Sequence, residues 1–283
     1  MQSMNDSVNV VVGVPIYRAG AYILDKFPAN QKEIQKNYLF SELVFATNEP
    51  DFVKELEGAL SLWALKGKVL CYETIKPEDA RSRFWNIACG REAIRQYTLS
   101  KTKAKYLLFL DADMTFDPNI IEIMEREIQG CDVVYSGYHT RLGPGIILEG
   151  GGCCMLTAAA MKDVRFRCLE FKNGVALTED TLFELDLMRS HKRIKKGFFL
   201  AISHYINEGR AKTIGPRPVG LYWRITRSVF VRYARVRASI VFKHDVGGWL
   251  YGVIQKLLAS VRVIWHSCSR VTSRCGGQGG RGL

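Results

Sequence analysis

Acid is almost missing from the last quarter of this chain. Residues 212–283 hold 13 Lys plus Arg against the single acid Asp245, whereas residues 1–211 hold 27 of each sign, so the whole net charge of +12 sits in the tail. That asymmetry points to a polyanionic neighbour: an anionic membrane face, a phosphorylated substrate or nucleic acid. Also missing is any uncharged apolar run of about 18 residues, the length needed to cross a bilayer as a helix. The first residues, MQSMNDSVNV, lack the basic start and apolar block of a cleaved secretory signal. The eight cysteines (71, 89, 131, 153, 154, 168, 268 and 275) form no Cys-x-x-Cys pair, and several lie in apolar segments where a free thiol acts as a small hydrophobe. A reducing, cytoplasmic setting without structural zinc is therefore expected. No Gly-x-x-x-x-Gly-Lys loop or Gly-x-Gly-x-x-Gly fingerprint stands in a strand-to-helix turn, which argues against an ATPase or a dinucleotide enzyme.

What is present is a chain of 283 residues, 47% hydrophobic, enough for one large α/β domain and an appendage. The first two-thirds alternates short apolar runs with helical patterns, the signature of a mainly parallel sheet. Strands are predicted at Val8–Val14, Leu43–Ala46, Lys68–Tyr72, Tyr106–Leu110, Val133–Gly137, Ile146–Leu156 and Gly197–Ser203, the last leading straight to His204. Helices are predicted from Pro50 to about Leu65 with Gly67 as the stop, from Glu78 to Tyr97, from Asp117 and Pro118 to near Gly130, and over Thr178–Arg189. The loop HTRLGPG, from His139 to Gly145, is rich in backbone-irregular residues. Beyond about residue 212 the alternation stops, so the expected organisation is a catalytic domain over 1–211, a basic, mostly helical appendage over 212–266 and a disordered tail over 267–283.

The most informative stretch is YLLFLDADM, Tyr106–Met114. An apolar run buried on both faces stops abruptly at Asp111 and Asp113, so two carboxylates emerge where a central strand leaves the core. Open α/β sheets bind ligands at the carboxyl ends of such strands. Two anions gathered there resist ionising together, and a divalent cation neutralises them. Carboxylate oxygens suit Mg²⁺ or Mn²⁺ and, through the ion, a substrate diphosphate. The plainer alternative is that acidic residues simply end strands at turns.

YLLFLDADM, followed in order by GGGCCML and TEDTLFELDLMRSHKRI, resembles the GT-A glycosyltransferases, in particular their family 2 group, over roughly residues 8–205. The resemblance implies a Rossmann-like sheet with helices on both faces and sugar transfer from a nucleotide diphosphate. It puts the metal on Asp113, and Asp111, with Ala112 beside it, on the nucleoside side of the donor. It makes Asp180 of the Glu179–Asp180 pair the base that takes the proton of the attacking acceptor hydroxyl; ordinary helix capping by acids is the alternative. It offers His204 as a further metal ligand, although a histidine at a strand end is often just a satisfied polar residue and Tyr205 and Asn207 stand close by. Pro15, Tyr17, Arg18, Asn48 and Glu49 occupy the nucleobase positions. In ARSRFWNIACG, Asn86 matches an Arg-Asn-x-Gly pattern but Trp85 replaces its arginine, so Arg81 or Arg83 would have to brace the diphosphate. Gly150, Gly151 and Gly152 would let the acceptor or the sugar approach the backbone.

The implied donor is UDP- or GDP-linked, and the acceptor, whether glycan, lipid-linked or protein, is open. Residues 221–265 carry basic residues, Trp223, Trp249 and Trp265, and suit an amphipathic anchor on an anionic membrane surface at the inner face, or a basic cap over the catalytic domain. Two rivals remain: a haloacid-dehalogenase-type phosphohydrolase with Asp111 as nucleophile, since DADMT also reads Asp-x-Asp-x-Thr, and a nucleic-acid binder working through the tail, which is the less expected partner.

Overall fold

Apolar β-branched runs and amphipathic helices alternate along a computed structural model of the chain that describes residues 8–140, 147–170 and 176–220. In chain order the elements are β1 (Val10–Pro15), α1 (Lys26–Asn37), β2 (Ser41–Thr47), α2 (Pro50–Leu62), β3 (Gly67–Cys71), α3 (Phe84–Lys101), β4 (Tyr106–Leu110), β5 (Met114–Phe116), α4 (Ile120–Glu127) and β6 (Val133–Ser136). Then come β7 (Tyr138–His139), β8 (Ile147–Leu148), β9 (Cys153–Thr157), α5 (Ala158–Asp163), β10 (Leu169–Glu170), β11 (Ala176–Leu177), α6 (Glu179–Arg189), β12 (Ile194–Gly197), β13 (Ile202–Asn207) and β14 (Arg210–Ile214). The site described below lies in one unit, Met1–Leu169 with Ala176–Ser228; a second, Glu170–Val175 with Val229–Leu283, falls outside the described residues apart from Glu170.

Seven strands make the central sheet in the order β12-β6-β9-β4-β1-β2-β3. All its pairings are parallel except those of β9, which runs antiparallel to both β4 and β6. Alternating side chains divide the core between the two faces. Val10, Val12 and Val14 of β1 pack with Phe27 of α1, Phe52 of α2 and Ile120 of α4, while Val11 packs on the other face with Ile94 of α3, Met161 of α5 and Phe183 of α6. This is the α/β architecture expected from the sequence, with a mainly parallel sheet and helices on both faces. The sheet grows outward from β1 in both directions, towards β2 and β3 and towards β4, so the carboxyl ends of β1 and β4 flank a topological switch point.

Local chemistry explains where the elements stop. Pro50 opens α2 at its first turn, as predicted. The helix ends at Leu62 rather than near Leu65, in a double bond pattern: Ala64 N–H to Ser61 C=O at 3.1 Å and Leu65 N–H to Leu60 C=O at 2.9 Å, with Ala64 at φ 51°. Gly67 is thus not the helix stop but the first residue of β3, where a Cβ would lie 2.4 Å from the Leu43 carbonyl oxygen. The predicted helix from Glu78 starts at Phe84 instead, and α4 starts at Ile120, with the Asp117 carboxylate accepting the Asn119 N–H at 2.9 Å. The strand predicted over Gly197–Ser203 is two: β12 closes at Gly197, and His204 lies inside β13 rather than after a strand. The run Ile146–Leu156 likewise separates into β8 and β9 around the three glycines.

β14 runs through residues 211 and 212, where the sequence places its boundary. The appendage beyond residue 220, the anchor over 221–265 and the tail over 267–283 lie outside the described residues, as do positions 141–145 of the HTRLGPG loop. Among the described residues no helix is long and apolar enough to cross a membrane.

Candidate active site

The two aspartates leave β4 together and then diverge. The Asp111 N–H donates to the Gly152 carbonyl at 3.1 Å, extending the β4–β9 ladder, and the Met114 N–H reaches back to the Asp111 carbonyl at 3.2 Å. This turn aims Asp111 towards the glycines and Asp113 towards the second sheet, in which β5 pairs antiparallel with β13 and Met114 stands opposite His204. The Tyr205 N–H also donates to the Asp113 carbonyl at 2.8 Å. Strand pairing, not sequence proximity, therefore sets His204 beside Asp113, 91 positions away, with Nε2 3.2 Å from Oδ2.

The His204 ring has a defined polarity. Nδ1 lies 2.5 Å from the His139 carbonyl, which can only accept, so Nδ1 carries hydrogen and Nε2 turns its remaining site to the Asp113 carboxylate. A proton or a metal cation must mediate that contact, since otherwise a lone pair faces an anion. Burial lowers the affinity of His204 for a proton, but the hydrogen bond and charge of Asp113 outweigh it and raise the pKa. The Tyr138 ring packs edge-on against the imidazole, with centroids 6.2 Å apart. Among the described residues no group of three or more His, Cys, Asp or Glu is arranged to hold a metal. One carboxylate and one imidazole with a fixed Nδ1–H still suit Mn²⁺ or Mg²⁺, ions that commonly take their other oxygens from substrate phosphates and water.

The other half of the site gathers around a residue that sequence reasoning missed. Arg91, in the middle of α3, has its side chain 3% exposed and contacts three carboxylates: Nη1 donates to Glu179 Oε1 at 3.0 Å and to Asp180 Oδ1 at 2.7 Å, and Nη2 donates to Asp111 Oδ1 at 3.1 Å. Asp180 Oδ1 also accepts the Gly151 N–H at 3.1 Å. The Glu179 and Asp180 side chains differ sharply in exposure, 5% against 39%. Adjacent positions at the start of α6 thus play different parts, Glu179 buried and Asp180 open to solvent. Burial and the Asp180 charge push the Glu179 carboxyl up to about 8, against the pull of Arg91. Burial likewise pushes Asp111 upward, Arg91 opposes it, and the Asp113 and Asp180 charges add to the rise.

Gly150, Gly151 and Gly152 face this cluster. A Cβ on Gly151 would fall 2.0 Å from Arg91 Nη1, one on Gly152 2.5 Å from Asp111 Oδ2, and one on Gly150 2.9 Å from Asp180 Oδ2. Their bareness makes room for the chain's own ion cluster. The sequence offered one signal for Arg91: a charge in the middle of a helix, next to Gly90.

The expected donor residues lie at the carboxyl ends of β1, β2 and β4 and around the start of α3. Tyr17 OH lies 3.0 Å from Tyr72 OH, which donates to the Asn86 carbonyl at 2.8 Å. Tyr17 is therefore the donor to Tyr72, and burial raises its pKa. A Cβ on Gly90 would sit 3.0 Å from Tyr72 OH and 3.3 Å from Pro15 Cβ, which is how α3 comes close to this corner. Glu49 accepts the Arg18 N–H at 2.7 Å, and the Arg18 guanidinium lies over the Phe52 ring and bonds to Glu55. Asn48 Nδ2 donates to Thr74 Oγ1 at 3.0 Å, while its Oδ1 is buried without a partner. Ala112 is buried between the two aspartates. Arg81 sits in the loop before α3, and Arg83, at the helix start, lies over the Phe84 ring, so the guanidinium among the carboxylates is that of Arg91 and not of either predicted arginine.

No protein-family model and no curated protein matches the sequence. Among solved structures, A197 from STIV overlaps at 15% identity over 74% of this chain and 95% of its own, with a TM-score of 0.42. S. aureus TarS 1–349 overlaps at 15% identity over 74% of this chain with a TM-score of 0.47, and its complex with UDP-GlcNAc at 14% over 76% with 0.46; the match spans 60% of the TarS fragment in each case. At that level of overlap, only this chain's own side chains bear on function.

Proposed function

We propose that the chain is a metal-dependent GT-A glycosyltransferase of the family 2 kind, which moves a sugar from a UDP- or GDP-linked donor to an acceptor hydroxyl with inversion. The observation that carries this is the convergence of the β4 aspartates and the α6 acids on one small region, tied by Arg91 at one end and by the Asp113–His204 contact at the other. Asp113 and His204 would hold Mn²⁺ or Mg²⁺, which when bound supplies charge stabilisation for the departing nucleotide diphosphate.

The chain's own groups do the rest. Asp180 spends Oδ1 on Arg91 and Gly151, leaving Oδ2 to take the proton as an acceptor oxygen bonds to the anomeric carbon and the nucleotide diphosphate leaves with the bonding pair. Asp111 faces the nucleoside side, and the buried, unpartnered Asn48 Oδ1 is suited to a nucleobase N–H. The basic tail would hold the enzyme on an anionic membrane face, near a lipid-linked or surface acceptor.

A thermal-shift screen of UDP, GDP and their sugars with and without Mn²⁺ tests the assignment, because only a ligand of the folded state raises the melting point. A nucleotide-dependent rise that needs Mn²⁺ is expected for the wild type, to be lost in Asp113→Ala and weakened in His204→Ala. Undiminished Mn²⁺-dependent transfer by Asp113→Ala would sink the metal assignment.

A further inference from the structure

We propose that Arg91 is a positioning residue that fixes the catalytic base relative to the donor, by bridging the donor-side Asp111 and the acceptor-side Asp180 with the two arms of one guanidinium. This rests on the glycosyltransferase assignment, and nothing in the sequence patterns discussed above gives Arg91 a role. The two amino groups are divided between the two half-sites: Nη2 serves Asp111 alone, and Nη1 serves Glu179 and Asp180. A guanidinium is planar and rigid, so the separation and mutual angle of the two carboxylates follow from its own geometry. Lysine presents a single point charge and cannot span both.

Three further features say that the bridge is built rather than incidental. The guanidinium is buried against the Phe109 ring, 5.8 Å from its centroid, in a place where an ion needs strong partners to persist. Gly151 lies directly against it, and a Cβ there would collide with Arg91 and Asp180 together. Glu179, the most buried of the three partners, anchors the guanidinium from behind and leaves the more exposed Asp111 and Asp180 for ligands. Arg91 is itself buried and bonded to the three carboxylates, so it acts through them. Binding of donor and alignment of the base thereby become separable properties.

The test uses the full chain, with calorimetric titration of UDP and GDP in Mn²⁺ for donor-site integrity, and release of nucleotide diphosphate from UDP-glucose, UDP-N-acetylglucosamine and GDP-mannose, with water as acceptor, for turnover. For Arg91→Lys, nucleotide affinity should stay within about fivefold of wild type while turnover at saturating donor falls by about 100-fold, the signature of lost alignment rather than lost binding. Since Arg91→Lys can fail by leaving the buried Glu179 without its hydrogen-bond partner, the second variant is Arg91→Met with Glu179→Leu, which replaces both buried polar partners by apolar groups and is tolerated far better than removal of one of them. The same split between binding and turnover is expected there. Turnover within threefold of wild type in either folded variant, a loss of turnover matched by an equal loss of nucleotide affinity, or failure of both variants to fold overturns the positioning role. A wild type that binds no nucleotide in Mn²⁺ overturns the glycosyltransferase assignment itself, and the role of Arg91 in that reaction with it.

Discussion

Glu179 and Asp180 show how far one residue's environment can diverge from its neighbour's. Both open α6, but the helix turns Glu179 into the core beside Arg91 and leaves Asp180 at the surface of the site. A carboxyl held at about 8 in the fold, against an ordinary value of 4.5, keeps a proton that the unfolded chain has already lost. Its contribution to stability is therefore complete below the ordinary value and is lost as pH rises from there through about 8. Glu179→Gln mimics the protonated form, so its melting temperature should decline less than that of wild type between pH 5 and pH 8; parallel curves would show that Glu179 is ionised throughout. The Glu179–Asp180 pair was visible in the sequence as a helix start, but which of the two is buried was not, because that depends on how α6 packs against α3. The same packing explains why Arg91 escaped notice. An arginine inside an amphipathic helix is ordinarily a surface charge, and only the packing of α3 against β4 and α6 makes this one a buried hub.

At the scale of elements, backbone geometry decided matters that residue type alone suggested wrongly. Gly67 looked like a helix stop, as glycine commonly is, whereas the left-handed position after α2 is filled by Ala64 and Gly67 lets β3 close up on β2. Exchanging glycine between those sites gives effects of opposite sign. Ala64→Gly should stabilise by about 0.5–1 kcal/mol by relieving a Cβ at positive φ, and Gly67→Ala should destabilise by about 1–3 kcal/mol because the obstacle is the Leu43 carbonyl, which cannot rotate away. Denaturant melts of the two variants check both signs. The Asp-x-Asp strand was legible in full, since five consecutive apolar residues ending in acids leave little choice of strand or of end. His204 was singled out for the right neighbourhood on the wrong structural ground: its place beside Asp113 comes from the antiparallel pairing of β5 with β13, a three-residue strand that no periodicity announces.

For the whole molecule, charge is the property that the sequence displays most openly, zero over residues 1–211 and +12 over residues 212–283. If the tail is an electrostatic anchor, the full chain should co-sediment with vesicles containing anionic lipid at low salt, be released as the ionic strength approaches about 1 M, and ignore neutral vesicles. Salt-sensitive binding to DNA or RNA without binding to the vesicles would instead favour the nucleic-acid alternative. By itself the sequence determined the fold class, the strand that carries the two aspartates, the helix start that carries the two α6 acids and the place of the basic excess, because hydrophobic period, turn residues and charge are local properties written along the chain. Only the tertiary structure decided that Arg91 ties Asp111 to Asp180, that Glu179 is the buried member of its pair, that His204 turns Nε2 to Asp113, and that the three glycines enclose the chain's own ion cluster. Each of those facts depends on residues far apart in sequence meeting across packed elements, and burial and distance of that kind have no signature in any single segment.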